Sequence, residues 1–336
     1  MPSPLHTWLL CLSDPDGFHT PLPEHPLKMN TLERLMHLAQ QHTVLPAVIT
    51  NTQNIVIKHG IASLTSGCPA EFQSILQEAE REWRRRIAFC LVLRRQGEEI
   101  LQALARQSIP AIPLKGPDFA DRLYPTPSLR IFTDIDLLIP RDKIPATNSI
   151  MKMMGYRPKI AKRKHSDIYG QTAWRRDSKS EGTVEIHWNL VNSPAVRRAV
   201  SVRFEDIQLG RSIPQRPTAA ALLLIAAVHA ASSHAFDRLL LLYDIRQICR
   251  GAAGPVDLDY LSDIIHKTGS AMCVASALHL SDRMFEEEIC RQITRQLALP
   301  VHQMKNRVIS PTLVLRKQKG IDDWRRKLYR ETLKRS

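Results

Sequence analysis

The chain reads as an α+β protein in which a small mixed sheet is flanked by helical regions at both ends. Three observations predict this. Glu71 to Gln107 is a long helical pattern without proline. Residues 110–188 alternate short apolar runs with helical ones, punctuated by Gly and Pro, the pattern of strands packed against helices. After Pro214 and Pro217 the chain becomes strongly apolar and helix-forming from Thr218 to Cys249.

In chain order, residues 1–28 are rich in Pro and His and read as an irregular arm. Thr31 to Gln41 places Leu32, Leu35, Met36 and Leu38-Ala39 at helical spacing, with Asn30 or Thr31 able to cap the start. Within Glu71 to Gln107, Gly97 is a possible interruption. Pro110 to Leu114 is a short apolar run ending in Lys115-Gly116, a strand entering a turn. Pro117 to Tyr124 fits a short helix with Pro at its first position. Asp134 to Ile139 is a second strand, and Asp142 to Met154 a helix that stops at Gly155. A basic connection from Ala161 to Arg176 leads to another strand, Gly182 to Trp188. Leu258 to Ile265 and Ser270 to Leu299 continue as helices. This divides the chain into a helical N-terminal region (1–104), an α/β core (105–212) and a helical C-terminal domain with a basic tail (213–336). No internal repeat is evident.

Composition excludes several classes. With 336 residues, 43% apolar and 24% charged, the chain can bury a full core. No apolar run approaches the ~18 residues of a membrane span. The start lacks a basic leader and a small-residue cleavage site, so no signal peptide is expected. Six scattered cysteines with no C-x-x-C pair read as reduced, mostly buried thiols in a cytoplasmic protein. The net charge of +14 favours anionic partners. It gathers at Arg84-Arg85-Arg86 with Arg94-Arg95, at Ala161 to Arg176, and at Arg316 to Arg335. There is no P-loop, no G-x-G-x-x-G fingerprint, no G-x-S-x-G turn and no zinc spacing around His229 and His234.

The chemistry concentrates in Thr133-Asp134-Ile135-Asp136-Leu137-Leu138. Strand side chains alternate, so Asp134 and Asp136 share one face, roughly 7 Å apart. Two carboxylates on an apolar strand are costly unless a positive charge sits between them. A hard divalent cation, Mg²⁺ or Mn²⁺, answers that need and brings a phosphate-bearing substrate with it. Glu185 supplies a third carboxylate on a later strand, on the same face as His187. Upstream, Gly116 lets a phosphate approach the backbone at a helix start, and Lys115 can add a charge. Three carboxylates around divalent ions describe phosphoryl or nucleotidyl transfer. Arg130 is a candidate for orienting a phosphate or carboxylate, or for pairing with Asp118 or Asp121. His234 and Arg238, four apart on a helix, form with Asp244 either a second phosphate contact or an internal polar network.

The ordered series Leu114-Lys115-Gly116, Leu123-Tyr124-Pro125, Arg130, Thr133 to Leu138, Gly155-Tyr156 and Val184-Glu185-Ile186-His187-Trp188 resembles the uncharacterised bacterial nucleotidyltransferase family, a branch of the polymerase-β-like nucleotidyltransferase superfamily. The resemblance is close over about 100–190 and looser at Leu32 to Pro46 and His229 to Ile248. It implies a nucleotidyltransferase core of a short mixed sheet with a helical partner domain, and a nucleoside triphosphate as substrate. Asp134 and Asp136 then match the D-x-D metal ligands, Glu185 the third acid, and Gly116 the phosphate-turn glycine. The wider superfamily usually has Gly-Ser at that turn; this chain has Lys115-Gly116 followed by Pro117, and the branch it resembles shares the Lys-Gly form. The reading is an Mg²⁺-dependent transferase moving a nucleoside monophosphate to an unidentified acceptor: small molecule, peptide or RNA. Two alternatives stand beside it: a catalytically silent nucleotide-binding adaptor of the same fold, and an RNA-binding or RNA-modifying protein using the basic tail. Oligomeric state is not legible.

Overall fold

The computed structural model describes residues 3–159, 169–177, 181–208, 216–299, 308–316 and 324–334. Four helices open the chain: α1 (Pro4–Leu12), α2 (Met29–Gln41), α3 (Leu45–His59) and α4 (Pro69–Arg106). The middle runs β1 (Ile112–Pro113), α5 (Gly116–Leu123), β2 (Asp134–Leu138), α6 (Ile144–Met153), β3 (Arg157–Pro158), β4 (Gln171–Arg175) and β5 (Thr183–His187). Two short helices, α7 (Pro194–Arg197) and α8 (Phe204–Ile207), lead to α9 (Ala219–Val228), a π-helical segment His229–His234, and α10 (Leu239–Cys249). The rest comprises α11 (Leu258–Thr268), α12 (Ala271–Phe285), α13 (Glu288–Gln296), α14 (Pro311–Leu315) and α15 (Trp324–Leu333).

The strands form one mixed sheet in the order β1-β2-β5-β4-β3. Only β2 and β5 run parallel, in the register Asp134↔Thr183, Asp136↔Glu185 and Leu138↔His187. Each is covered on its apolar side, where Ile135, Leu137, Val184 and Ile186 are buried. Helix α4 supplies that cover. Its C-terminal half (Cys90, Leu93, Ile100, Leu104) joins the sheet's core, while Phe72, Leu76 and Ala79 join a second core with the flanking helices. That second core includes α1, α2 and α3 from the N-terminal side and α9, α10 and α12 from the C-terminal side.

Three local readings change. Residues 1–28 are not all irregular, because α1 forms and buries Trp8, Leu9 and Leu12. Their spacing places them on one helical face, and Pro4 sits where a helix tolerates it. Gly97 does not interrupt α4; it faces Ile135, whose Cγ2 lies 3.7 Å from where a Cβ would be. The connection between Gly155 and Gly182 holds two strands: β3 precedes the basic stretch 161–176, and β4 lies within it, concealed by its charge; residues 160–168 and 178–180 lie outside the described part. Five of the six cysteines are buried, Cys68 is exposed, and all six are free thiols. Among the described residues no helix is long and apolar enough to cross a membrane.

Candidate active site

The polar edge of β2 and β5 opens on a cavity of about 250 Å³. The sheet floor contributes Asp134, Asp136, Glu185, His187 and Gln171, and Lys115 reaches in from the turn after β1. The C-terminal helices close the opposite side with His229, Ser233 and His234. Parallel pairing sets Asp136 directly beside Glu185. The period of two then brings Asp134 and His187 to the same face.

Asp136 is the most deeply set of these acids, with both oxygens engaged. Lys115 Nζ lies 2.8 Å from Oδ2, and His187 Nε2 lies 2.9 Å from Oδ1. His187 Nε2 is also 3.6 Å from Glu185 Oε2, and Gln171 Nε2 donates to that same oxygen at 2.6 Å. Burial alone would push the Asp136 carboxyl up, but the Lys115 ammonium and His187 hold it well below the usual carboxylate range. Among the described residues, Asp134 has no such ion pair. Burial, and then the neighbouring Asp136 charge, push it up to about 6 against the pull of Lys115. Burial works against the charged form of His187, yet its bonds to Asp136 and Glu185 outweigh that and raise its pKa.

Across the cavity, Lys115 Nζ is 3.1 Å from His229 Nε2 and 3.2 Å from Nδ1. Burial, then the Lys115 charge, drives the His229 pKa well below its ordinary value, so the ring is neutral. His234 stacks edge-on against it with centroids 4.6 Å apart. The π-helical turn makes this possible, because its wider winding brings two histidines five apart to the same mouth.

The donor set suits a divalent cation. One carboxylate oxygen each from Asp136 and Glu185 and one ring nitrogen of His187 lie within 4.8 Å of one another. Asp134 lines the same cavity but stands outside that tight group. Three carboxylates face one lysine here, an excess of negative charge that a hard cation relieves. The two carboxylates are hard oxygen donors, and the His187 imidazole is a softer nitrogen donor of the kind transition metals accept.

The other expected residues fall elsewhere. Gly116 starts α5 with φ +50° beside Phe132, and does not line the cavity. The buried Asp118 lies in the first turn of α5, and its carboxylate pairs with Arg216 at 2.6 Å and Arg122 at 3.3 Å. Arg130 is buried in neither expected pairing. It grips Asp244 with Nε at 2.8 Å and Nη2 at 2.7 Å, and Tyr124 Oη donates to the same carboxylate at 2.8 Å. Arg130 and Asp244 therefore form the internal network that joins the sheet region to α10. The helix expected to carry both His234 and Arg238 breaks between them. Ala235 and Phe236 take φ values of +45° and +56°, and Arg238 pairs with Asp237 at 2.7 Å. Among the described residues, Arg238 meets the cavity through His234 Nδ1, at 3.2 Å.

Sequence reasoning missed Ser233 and Gln171, and weighed His229 only as a zinc ligand, which its spacing from His234 argued against. For His229 the signal was present as a polar residue ending the all-apolar run 219–228. Gln171 lay hidden in the basic connection.

No match appears among curated proteins. The family of uncharacterised nucleotidyltransferases matches residues 29–286, which take in the sheet, the cavity and its helical wall. The chain belongs to that nucleotidyltransferase family.

Proposed function

We propose that the chain transfers a nucleoside monophosphate from a nucleoside triphosphate to a hydroxyl or phosphate of an acceptor, using Mg²⁺ or Mn²⁺; the acceptor oxygen bonds to the α-phosphorus and the α–β phosphoanhydride bond breaks, releasing pyrophosphate. The observation that carries this is the lateral Asp136–Glu185 pair across β2 and β5, with Asp134 and His187 on the same face. Asp136, Glu185 and His187 would hold the cation, with Asp134 completing the acidic face. When bound, the cation would neutralise phosphate charge and lower the pKa of an attacking hydroxyl. Lys115 is the side chain placed to meet a phosphate oxygen, since it already stands in the cavity at the carboxylates. Neutral His229 behind it accepts from the ammonium and limits where it can point. Gln171 orients Glu185. The test is labelled-nucleotide transfer by the wild type against Asp136→Ala. Transfer that vanishes in the variant supports the reading, and equal labelling by both proteins sinks it.

A silent nucleotide-binding protein is the second reading. It is favoured by Asp136 having both oxygens bonded within the chain. Calorimetry with Mg²⁺ and each nucleoside triphosphate separates the two. Tight binding with no turnover over any acceptor pool would decide for the silent form.

A further inference from the structure

A second cavity, of about 300 Å³, lies just past the carboxyl ends of the two parallel strands. Arg141 follows β2, and Trp188 follows β5. Arg197, Arg203 and Lys267 complete the ring, and Asp206 is its one carboxylate. Four cations therefore face one acid among the described residues. That acid is engaged: its Oδ2 accepts the Arg203 backbone N–H at 2.8 Å, and Lys267 Nζ lies 3.3 Å from Oδ1.

The walls are built rather than incidental. Leu190 N donates to Val202 O at 2.9 Å, tying the segment after β5 to the segment before α8. Asn189 Nδ2 donates to Ser201 Oγ at 2.8 Å inside the cavity. Ser201 N donates to Thr268 O at 3.0 Å, which docks the end of α11. That docking needs Gly269. It sits at φ +67°, and a Cβ there would fall 2.2 Å from Ala199 O. The approach brings Lys267 to the cavity. Gly170 does the same on the other side, where a Cβ would meet Arg197 Nη1 at 2.9 Å. Burial, and after it the nearby Arg141 charge, lowers the Arg197 pKa.

We infer that this cavity is an anion site that takes a phosphate group, distinct from the carboxylate cavity. A lining of four cations and one carboxylate matches a multiply charged oxyanion. Arginine forks bind phosphate oxygens in pairs. Trp188 gives the site one apolar wall. The inference does not depend on chemistry at the carboxylate cavity.

The test is calorimetric titration of the full chain with sodium pyrophosphate in metal-free buffer, with ionic strength held constant by NaCl. One saturable site is expected. Arg197→Gln with Lys267→Gln should weaken it at least about tenfold. Arg84→Gln with Arg85→Gln removes the same charge from the solvent face of α4 and should leave affinity within about twofold. If the first pair unfolds the protein, Arg141→Gln on the exposed rim replaces it, again with weaker binding expected. Orthophosphate binding as tightly as pyrophosphate identifies a single phosphoryl group as the ligand unit. Pyrophosphate binding tighter by about tenfold identifies a diphosphate. Wild-type affinity in the Arg197/Lys267 pair, equal loss in the α4 control, or loss in Lys115→Met instead would each overturn the inference.

Discussion

Lys115 Nζ sits 2.8 Å from Asp136 Oδ2, joining the turn after β1 to the middle of β2. The bond explains how the fold tolerates three acids on one sheet face, because the ammonium is a counter-charge the chain itself provides. Both groups are largely out of water, at 14% and 5% side-chain exposure, so screening is weak. Lys115→Met should therefore destabilise the metal-free protein by roughly 2–4 kcal/mol, since Asp136 would keep only His187. Added MnCl₂ should recover part of the loss. Urea midpoints with and without the metal check this, and a variant as stable as wild type would remove Lys115 from that role.

Asp134 predicts a pH dependence. Its folded pKa, about 6, lies above that of an ordinary aspartate. The folded state thus holds this proton more tightly than the unfolded chain does. The stability it contributes is complete below about pH 4 and is lost as pH rises through 6. Asp134→Asn keeps the site neutral, so it should stabilise the metal-free protein at pH 7.5 by the order of 1–3 kcal/mol and change little at pH 4. A bound divalent cation should reverse the sign at pH 7.5, because it favours the ionised carboxylate. Equal effects of the substitution at both pH values would show that Asp134 does not titrate in this range.

The Arg130–Asp244 pair predicts a cycle. Arg130 is 4% exposed and Asp244 2%, and burial of Arg130 is outweighed by the Asp244 carboxylate, which raises its pKa. Asp244→Leu leaves a buried guanidinium unpaired and should cost about 3–5 kcal/mol. Arg130→Met together with Asp244→Leu should recover most of that, because the charges leave together. A double variant as unstable as the single one would show that Tyr124 Oη or the Phe119 ring, 5.2 Å from the guanidinium, contributes more than the ion pair.

These cases show what the sequence could carry. The acidic strand and its partner were legible because alternation needs only neighbouring residues, and Asp134, Asp136, Glu185 and His187 do share one cavity. The parallel register that sets Asp136 beside Glu185 joins residues 49 positions apart, and no local pattern encodes it. Arg130 reads locally as a loop cation beside Asp118 and Asp121; its partner Asp244 lies 114 residues away. His229 and His234 meet only because the helix widens to a π turn and then breaks at two left-handed residues, Ala235 and Phe236. Neither residue type announces such backbone. The strand β4 escaped because Trp174 and Ala173 are set among Arg175, Arg176 and other polar residues, so its alternation is half hidden.

The basic tail supplies the last prediction. Read as sequence, Arg316 to Arg335 suggested an RNA-binding extension. Residues 317–323 and 335 lie outside the described part, but α15 buries Arg326, Tyr329 and Leu333 on one face. Tyr329 meets Phe236 edge-on at 5.8 Å, and Arg330 Nη2 donates to Ser233 O at 3.3 Å, within the π-helical wall of the carboxylate cavity. The helix thus has a packing role on one side and an exposed basic side that includes Arg325 and Lys327. Tyr329→Ala should cost about 3–5 kcal/mol by leaving a cavity against Phe236. Arg325→Gln with Lys327→Gln should leave stability within about 0.5 kcal/mol. If the exposed side also contacts RNA, that second variant should flatten the salt dependence of RNA affinity by about one unit of slope per lost phosphate contact. An unchanged slope would assign the tail to packing alone.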